Sequence, residues 1–328
     1  MMRVLTKEDL KKLINSLSNS FEVIGPKEIP NKGVFYSPIT GGDELYMGDS
    51  FAIEPAKKFF LKPSCAILSE KPDGGFGLED VGVPSDKRVI IGLRPCEARG
   101  LTLLDKIFDA EHKDKFYIEE RSRTTLIGLA CDKPDRGCFC TSMGGSPADG
   151  QGLDAIIFAA EGQYIVEVIT DKGREIIGST GKKLDDGEQK ARKSDKKKRH
   201  DSVKTKITPP EGLDKMVDND YWSEVSRACV SCGICTYLCP TCHCFDLVDE
   251  ERKRLRCYDG CSFPDFTLEA SGVNPRPTKK ERYRQRVYHK FDYFKKNFGE
   301  NLCVGCGRCI RYCPVKIDIA AIADGARV

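Results

Sequence analysis

Cysteine is the residue type that could do chemistry in this chain. Two runs, Cys229-x-x-Cys232-x-x-Cys235-x-x-x-Cys239-Pro240 and Cys303-x-x-Cys306-x-x-Cys309-x-x-x-Cys313-Pro314, share one spacing down to the closing proline. Three closely spaced thiolates can wrap one face of an iron–sulfur cubane, and Gly233, Gly305 and Gly307 let backbone amides approach its sulfurs. The fourth cysteine of each run, held by its proline, points away toward the other cluster. The spacing therefore predicts one 4Fe-4S cluster on Cys229, Cys232, Cys235 and Cys313 and a second on Cys303, Cys306, Cys309 and Cys239. Structural zinc is the alternative, but zinc sites are usually built from two cysteine pairs, not three cysteines in a row plus Cys-Pro.

The other cysteines are not scattered. Of seventeen, one precedes residue 90, four lie between 96 and 140, and twelve lie between 229 and 313, which argues for metal binding over a disulfide framework. Cys96 follows a strand and opens a helix, Cys131 ends another strand, and Cys138 and Cys140 sit in a glycine-rich loop. Strand C-terminal ends build ligand crevices in α/β sheets, so these four could hold a third 4Fe-4S cluster; inert core cysteines at 96 and 131 are the alternative. Cys242, Cys244 and Cys261, with His243 beside them, either pack against the neighbouring clusters or bind another metal centre.

The elements that must position these thiols can be read from periodicity. Leu5, Leu10, Leu13, Ile14 and Leu17 behind Thr6-Lys7-Glu8-Asp9 predict a capped amphipathic helix. Residues 21–24, 34–36, 88–93 and 124–129 read as strands, 97–108 as a helix between the last two, and 154–169 as a hairpin turning at Glu161-Gly162-Gln163. Residues 182–206 are almost all charged or polar and read as a solvated linker or loop. Helices are predicted over 245–256 and 279–298, the second amphipathic and packed on the cysteine-rich part. The fold class that follows is α+β: an N-terminal α/β domain (1–180), a charged linker or loop (181–210), and an α-helical ferredoxin-like domain with two clusters (211–328).

Composition narrows the function. With 53 basic against 50 acidic residues the net charge is only +3, and the basic run at 182–206 is interleaved with acids and lacks aromatics, which argues against a nucleic-acid partner. No apolar run is long enough for a membrane span, and the charged N-terminus reads as no export signal, so the expected place is the cytoplasm. Gly75-x-Gly77 lacks the strand and spacing of a dinucleotide site and reads as a turn. None of the four histidines forms an evident catalytic pair; His289 reads as a packing or surface residue.

Longer motifs carry a resemblance. Cys239-Pro-Thr-Cys242-His-Cys244-Phe245-Asp246, Tyr258-Asp259-Gly260-Cys261, Asn274-Pro275-Arg276-Pro277, Arg284-Gln285-Arg286, His289-Lys290-Phe291 and Cys303-Val-Gly-Cys306-Gly-Arg308-Cys309 resemble the iron–sulfur protein shared by soluble NiFe sulfhydrogenases, where it is the beta chain, and anaerobic sulfite reductases. Gly92-Leu93-Arg94-Pro95-Cys96-Glu97 and Cys138-Phe139-Cys140 extend the match, which covers roughly residues 55 to 320; Cys65 and Cys257 depart from the pattern and read as ordinary thiols. The resemblance implies a non-catalytic electron-transfer subunit of an anaerobic complex. It would stand between a flavin-bearing subunit and a catalytic subunit of hydrogenase, sulfite or sulfur reductase, or heterodisulfide reductase type. A self-contained sulfur- or flavin-linked reductase is the alternative. The Lys and Arg excess around residues 276 to 311 would offset cluster charge and face a partner.

Purified without oxygen, the chain is expected to be brown, with broad absorption near ~400 nm lost on reduction. Metal analysis should find about eight irons for two clusters or about twelve for three. A native preparation dominated by zinc would contradict the reading.

Overall fold

The computed structural model describes residues 1–71, 77–160 and 162–326, with the backbone alone for 186–193. In chain order the strands are β1 (Met2–Thr6), β2 (Glu22–Ile29), β3 (Gly33–Pro38), β4 (Ser64–Glu70), β5 (Leu78–Asp80), β6 (Arg88–Leu93), β7 (Thr124–Leu129), β8 (Ala155–Ala160), β9 (Gln163–Val168), β10 (Lys182–Lys183), β11 (Phe245–Glu250) and β12 (Lys253–Tyr258). Among the described residues eight of them make one sheet in the order β10-β1-β9-β8-β7-β6-β2-β3, and four make a second in the order β11-β12-β4-β5. The fold is mixed α/β.

The centre of the large sheet, β2-β6-β7-β8, is parallel, and β6 and β7 are buried along their whole length. That burial explains their unbroken apolar sequence, since a parallel strand covered on both faces has no polar side. Helix Pro95–Phe108 follows β6, as its apolar face predicts. Thr6 caps helix Lys7–Leu17 in a capping box with Asp9, while Leu5 belongs to β1 and not to the helical face assigned to it from periodicity. The 154–169 hairpin is β8 with antiparallel β9; Glu161 at its turn lies outside the described residues, as does Gly75.

Two expectations are corrected. The helix predicted over 245–256 is instead the β11–β12 hairpin, and β12 pairs antiparallel with β4. The two-residue turn at Glu251 and Arg252 takes positive φ at both positions (45° and 64°), the geometry of a tight hairpin turn. Such turns normally carry Asn or Gly, so the chain hides its turn among charged residues. The segment read as a solvated linker contains a helix, Asp186–Asp201, and its end packs. Arg199 is buried, 5.8 Å from the Phe158 ring and ion-paired to Asp132 and Asp195, and Val203 is buried beyond it. The helix predicted over 279–298 is present as Lys279–Tyr288 and Phe294–Phe298 joined by a π-helical stretch, His289–Tyr293.

The cysteine-rich part does not stand apart from the sheet. Phe139 and Met143 from the loop after β7 share a core with Trp222, Tyr288 and Phe291, and Leu103 packs with Phe294, Leu302 and Val304. No helix among the described residues is long and apolar enough to cross a membrane.

Candidate metal centres

The parallel pair β6 and β7 places Cys96 and Cys131 beside each other, because both follow the C-terminal ends of neighbouring strands. The loop after β7 then returns Cys138 and Cys140 to the same crevice. All four line one cavity, closed on another side by Gly305 and Cys306. Burial pushes the Cys138 and Cys140 thiols up to about 12, and neighbouring cysteines add to the shift.

The two repeated runs build two further cavities, and each takes its cysteines from both runs. Cys229, Cys232 and Cys235 line one together with Cys313. Cys303, Cys306 and Cys309 line another together with Cys239. Gly233 and Gly307, at φ 76° and 71°, open the short helices Ile234–Tyr237 and Arg308–Arg311, which turn the third cysteine of each run inward. Backbone amides already point at sulfur: Ser231 N–H donates to Cys229 Sγ (3.4 Å) and Ile317 N–H to Cys313 Sγ (3.3 Å).

The three cavities stand in a row and share walls. Cys309, Arg286 and Ile319 line both cavities of the repeated runs, while Gly305 and Cys306 line the second and the third. The loops interlock tightly where they meet. Phe139 N–H donates to the Gly305 carbonyl (2.9 Å), and a Cβ on Gly305 would lie 2.6 Å from the Cys140 nitrogen.

A buried ionic network ties the same junction. The Arg308 guanidinium, fully buried between Cys306 and Cys309 in sequence, pairs with Glu97 (3.1 Å) and donates to the Ala52 carbonyl. Glu97, next to Cys96, also accepts from Tyr36 Oη (2.6 Å) and the Ala56 and Arg94 amides. Arg308 Nη1 is buried without a hydrogen-bond partner.

Cys242, Cys244 and Cys261 do not line any of these cavities. Cys242 lies against Cys239 and accepts from Arg286 Nη1 (3.5 Å), whereas Cys261 is buried near Cys244 and Cys235. Among the described residues no group of three or more His, Cys, Asp or Glu closes tightly enough to hold a single metal ion. His243 and His289 meet edge-on at 5.2 Å; burial, with the Lys290 charge added, lowers them to about 4 and about 3, so both rings are neutral at pH 7. Cys65 and Cys257 pair with Arg256 and Ser64 across β4 and β12, which sets them on opposite sheet faces.

The donor sets suit iron–sulfur clusters: four cysteines lining each cavity, and glycines at the loop turns. Iron loading must also release protons, since burial holds thiols such as Cys96, Cys303 and Cys309 in the neutral form. Sequence reasoning missed the groups around the thiols. Arg286, Lys290 and Arg308, read as part of a basic surface, are buried at 4%, 2% and 0% exposure. Their signal was present, because Arg286 and Lys290 are four residues apart and therefore share one helical face.

Residues 228–317 match the family model described as a 4Fe-4S dicluster domain. Over 335 residues the chain is 31% identical to sulfhydrogenase 2 subunit beta of Pyrococcus furiosus, covering 98% of this chain and 97% of that one. The chain belongs to the sulfhydrogenase beta-subunit family. No solved structure matches it. Membership in that family, with the 4Fe-4S domain, makes it an iron–sulfur electron-transfer subunit that works beside other subunits.

Gly305→Ala should separate the two loops of the beta-subunit junction. The left-handed backbone alone costs a non-glycine residue about 1–3 kcal/mol, before the clash with Cys140. The expected outcome is a lower unfolding temperature and lost iron; unchanged stability and iron content would contradict this account of the junction.

Proposed function

We propose that this subunit relays single electrons through three 4Fe-4S clusters between a flavin-bearing subunit and a catalytic oxidoreductase subunit. The observation that carries the reading is the row of three sulfur-lined cavities with shared walls. In this reading Cys229, Cys232, Cys235 and Cys313 hold the first cluster, Cys239, Cys303, Cys306 and Cys309 the second, and Cys96, Cys131, Cys138 and Cys140 the third. Bound clusters supply one-electron chemistry.

The chain's own residues do the rest. Buried walls such as Phe139, Tyr283 and Ile319 exclude water, and the Ser231 and Ile317 amides stabilise negative charge on ligand sulfurs. The first cavity reaches the surface, where Cys232 is exposed and Val230 is 59% exposed, a suitable point for exchange with a partner. The third lies at the other end of the row, beside Phe51. Residues 1–180 carry the third site and 211–328 the dicluster module, with 181–210 between them, and the cytoplasm is the proposed location. A catalytic partner of hydrogenase, sulfite or sulfur reductase, or heterodisulfide reductase type would fit this role.

Crossed ligation gives the first test. Cys313→Ala should damage the cluster of Cys229, Cys232 and Cys235, although it lies in the other run; electron paramagnetic resonance showing only the cluster of Cys303, Cys306 and Cys309 altered would refute the assignment. Electron transfer from a reduced nicotinamide cofactor or ferredoxin to a dye should likewise require co-purifying subunits. A chain that alone turned over a physiological donor and acceptor at full rate would instead be a self-contained reductase.

A further inference from the structure

Two buried cations, Arg286 and Lys290, line the middle cavity and a third, Lys57, lies behind it by Cys242; among the described residues no carboxylate pairs with any of them. Lys57, Arg286 and Lys290 are 3%, 4% and 2% exposed. Among the described residues none has an acidic side chain as its hydrogen-bond partner: Lys57 Nζ donates to the Cys242 carbonyl (2.6 Å), Arg286 Nη1 to Cys242 Sγ (3.5 Å), and Lys290 Nζ to Thr241 Oγ1 (2.8 Å). The opposite charges acting on them most strongly come from cysteine sulfurs, Cys239 and Cys242 among them for all three. A buried cation in low dielectric needs a counter-charge, and here only sulfur ligands and what they bind can provide it.

The other two cavities differ. At the third, Arg308 is neutralised by Glu97 and Arg311 by Asp135 (3.1 Å), and one further buried cation, Arg94, donates only to the Ala130, Gly48 and Ser50 carbonyls. The first shares Arg286 but opens to solvent at Cys232, where water screens charge. The middle cavity gathers the most unpaired positive charge, three buried cations against Arg94 alone at the third. Thr241 adds a directed contact: its oxygen accepts from Lys290, which leaves its own proton for Cys239 Sγ, 3.3 Å away.

We propose that Lys290, Arg286 and Lys57 give the cluster of Cys239, Cys303, Cys306 and Cys309 the highest reduction potential of the three, making the middle of the row its electron reservoir. Each is a positioning residue for charge, not a ligand. Reduction adds one negative charge to the cluster, and fixed positive charge nearby stabilises the reduced form, as does a hydrogen bond to a ligand sulfur. The inference rests on the cluster assignment proposed above.

The test is a redox titration of the anaerobically reconstituted full chain, followed by electron paramagnetic resonance, with the middle cluster identified by its altered signal in Cys303→Ser. In the wild type that cluster should titrate above the other two. Lys290→Met should shift its oxidised-to-reduced ratio at fixed potential at least tenfold toward oxidised, or 59 mV for a one-electron couple. Thr241→Val should shift it less in the same direction, and Lys290→Arg should restore it. An intact middle cluster with an unmoved or raised midpoint in Lys290→Met overturns the inference alone. If that variant does not retain iron, Thr241→Val decides in the same way. A wild-type chain with no cluster at Cys239 removes the underlying assignment, and the inference with it.

Discussion

The Glu97–Arg308 pair is the interaction on which the arrangement of thiols depends. Glu97 is one residue from Cys96 in the sheet half of the chain, and Arg308 lies between two cysteines of the last run, so each charge is anchored beside a different ligand set. Both are wholly buried, and removing one partner of such a pair typically costs about 3–5 kcal/mol, because the other is left charged in a poor solvent. Tyr36, Ala52 and Ala56 complete the contacts, so the pair can form only when β3, the loop after it and the last cysteine run are all in place. With that junction set, Gly305 reaches Phe139 and Cys140, and the third cavity acquires its far wall.

Charge organises the interior in a second way. Burial holds thiols such as Cys303 and Cys309 neutral, whereas a hydrogen bond with Cys242, aided by the Lys290, Arg286 and Lys57 charges, pushes the Cys239 thiol well down. A protein evolved for an empty interior would gain nothing from three cations next to Cys239 and Cys242. An anionic cofactor makes the same cations favourable.

Much of this was legible in the sequence, for identifiable reasons. The two cysteine runs announce themselves by spacing, and the apolar runs of β6 and β7 announce a parallel sheet whose strand ends carry Cys96 and Cys131. The β11–β12 hairpin was not legible, because Glu251 and Arg252 take the left-handed turn that sequence reasoning reserves for Asn and Gly. Nor was Arg199, since a charged run gives no sign of which single guanidinium will stack on Phe158. The buried cations escaped for a related reason: their partners are sulfurs and a hydroxyl distant in the chain, and no local pattern records such contacts.

The pairing of β12 with β4 also dictates a chronology. Lys57, just before β4, and Cys242, just before β11, are 185 positions apart, so at ~5–20 residues per second the ribosome needs on the order of ten seconds or more to deliver the second segment after the first. Until then one edge of β4 has no strand to receive it, and unpaired edges are where nascent chains stick to one another. The third cavity waits longer still, because Gly305 and Cys306 follow Cys242 in the chain. A cofactor in the third cavity therefore cannot be enclosed until the last cysteine run has joined the sheet half of the chain.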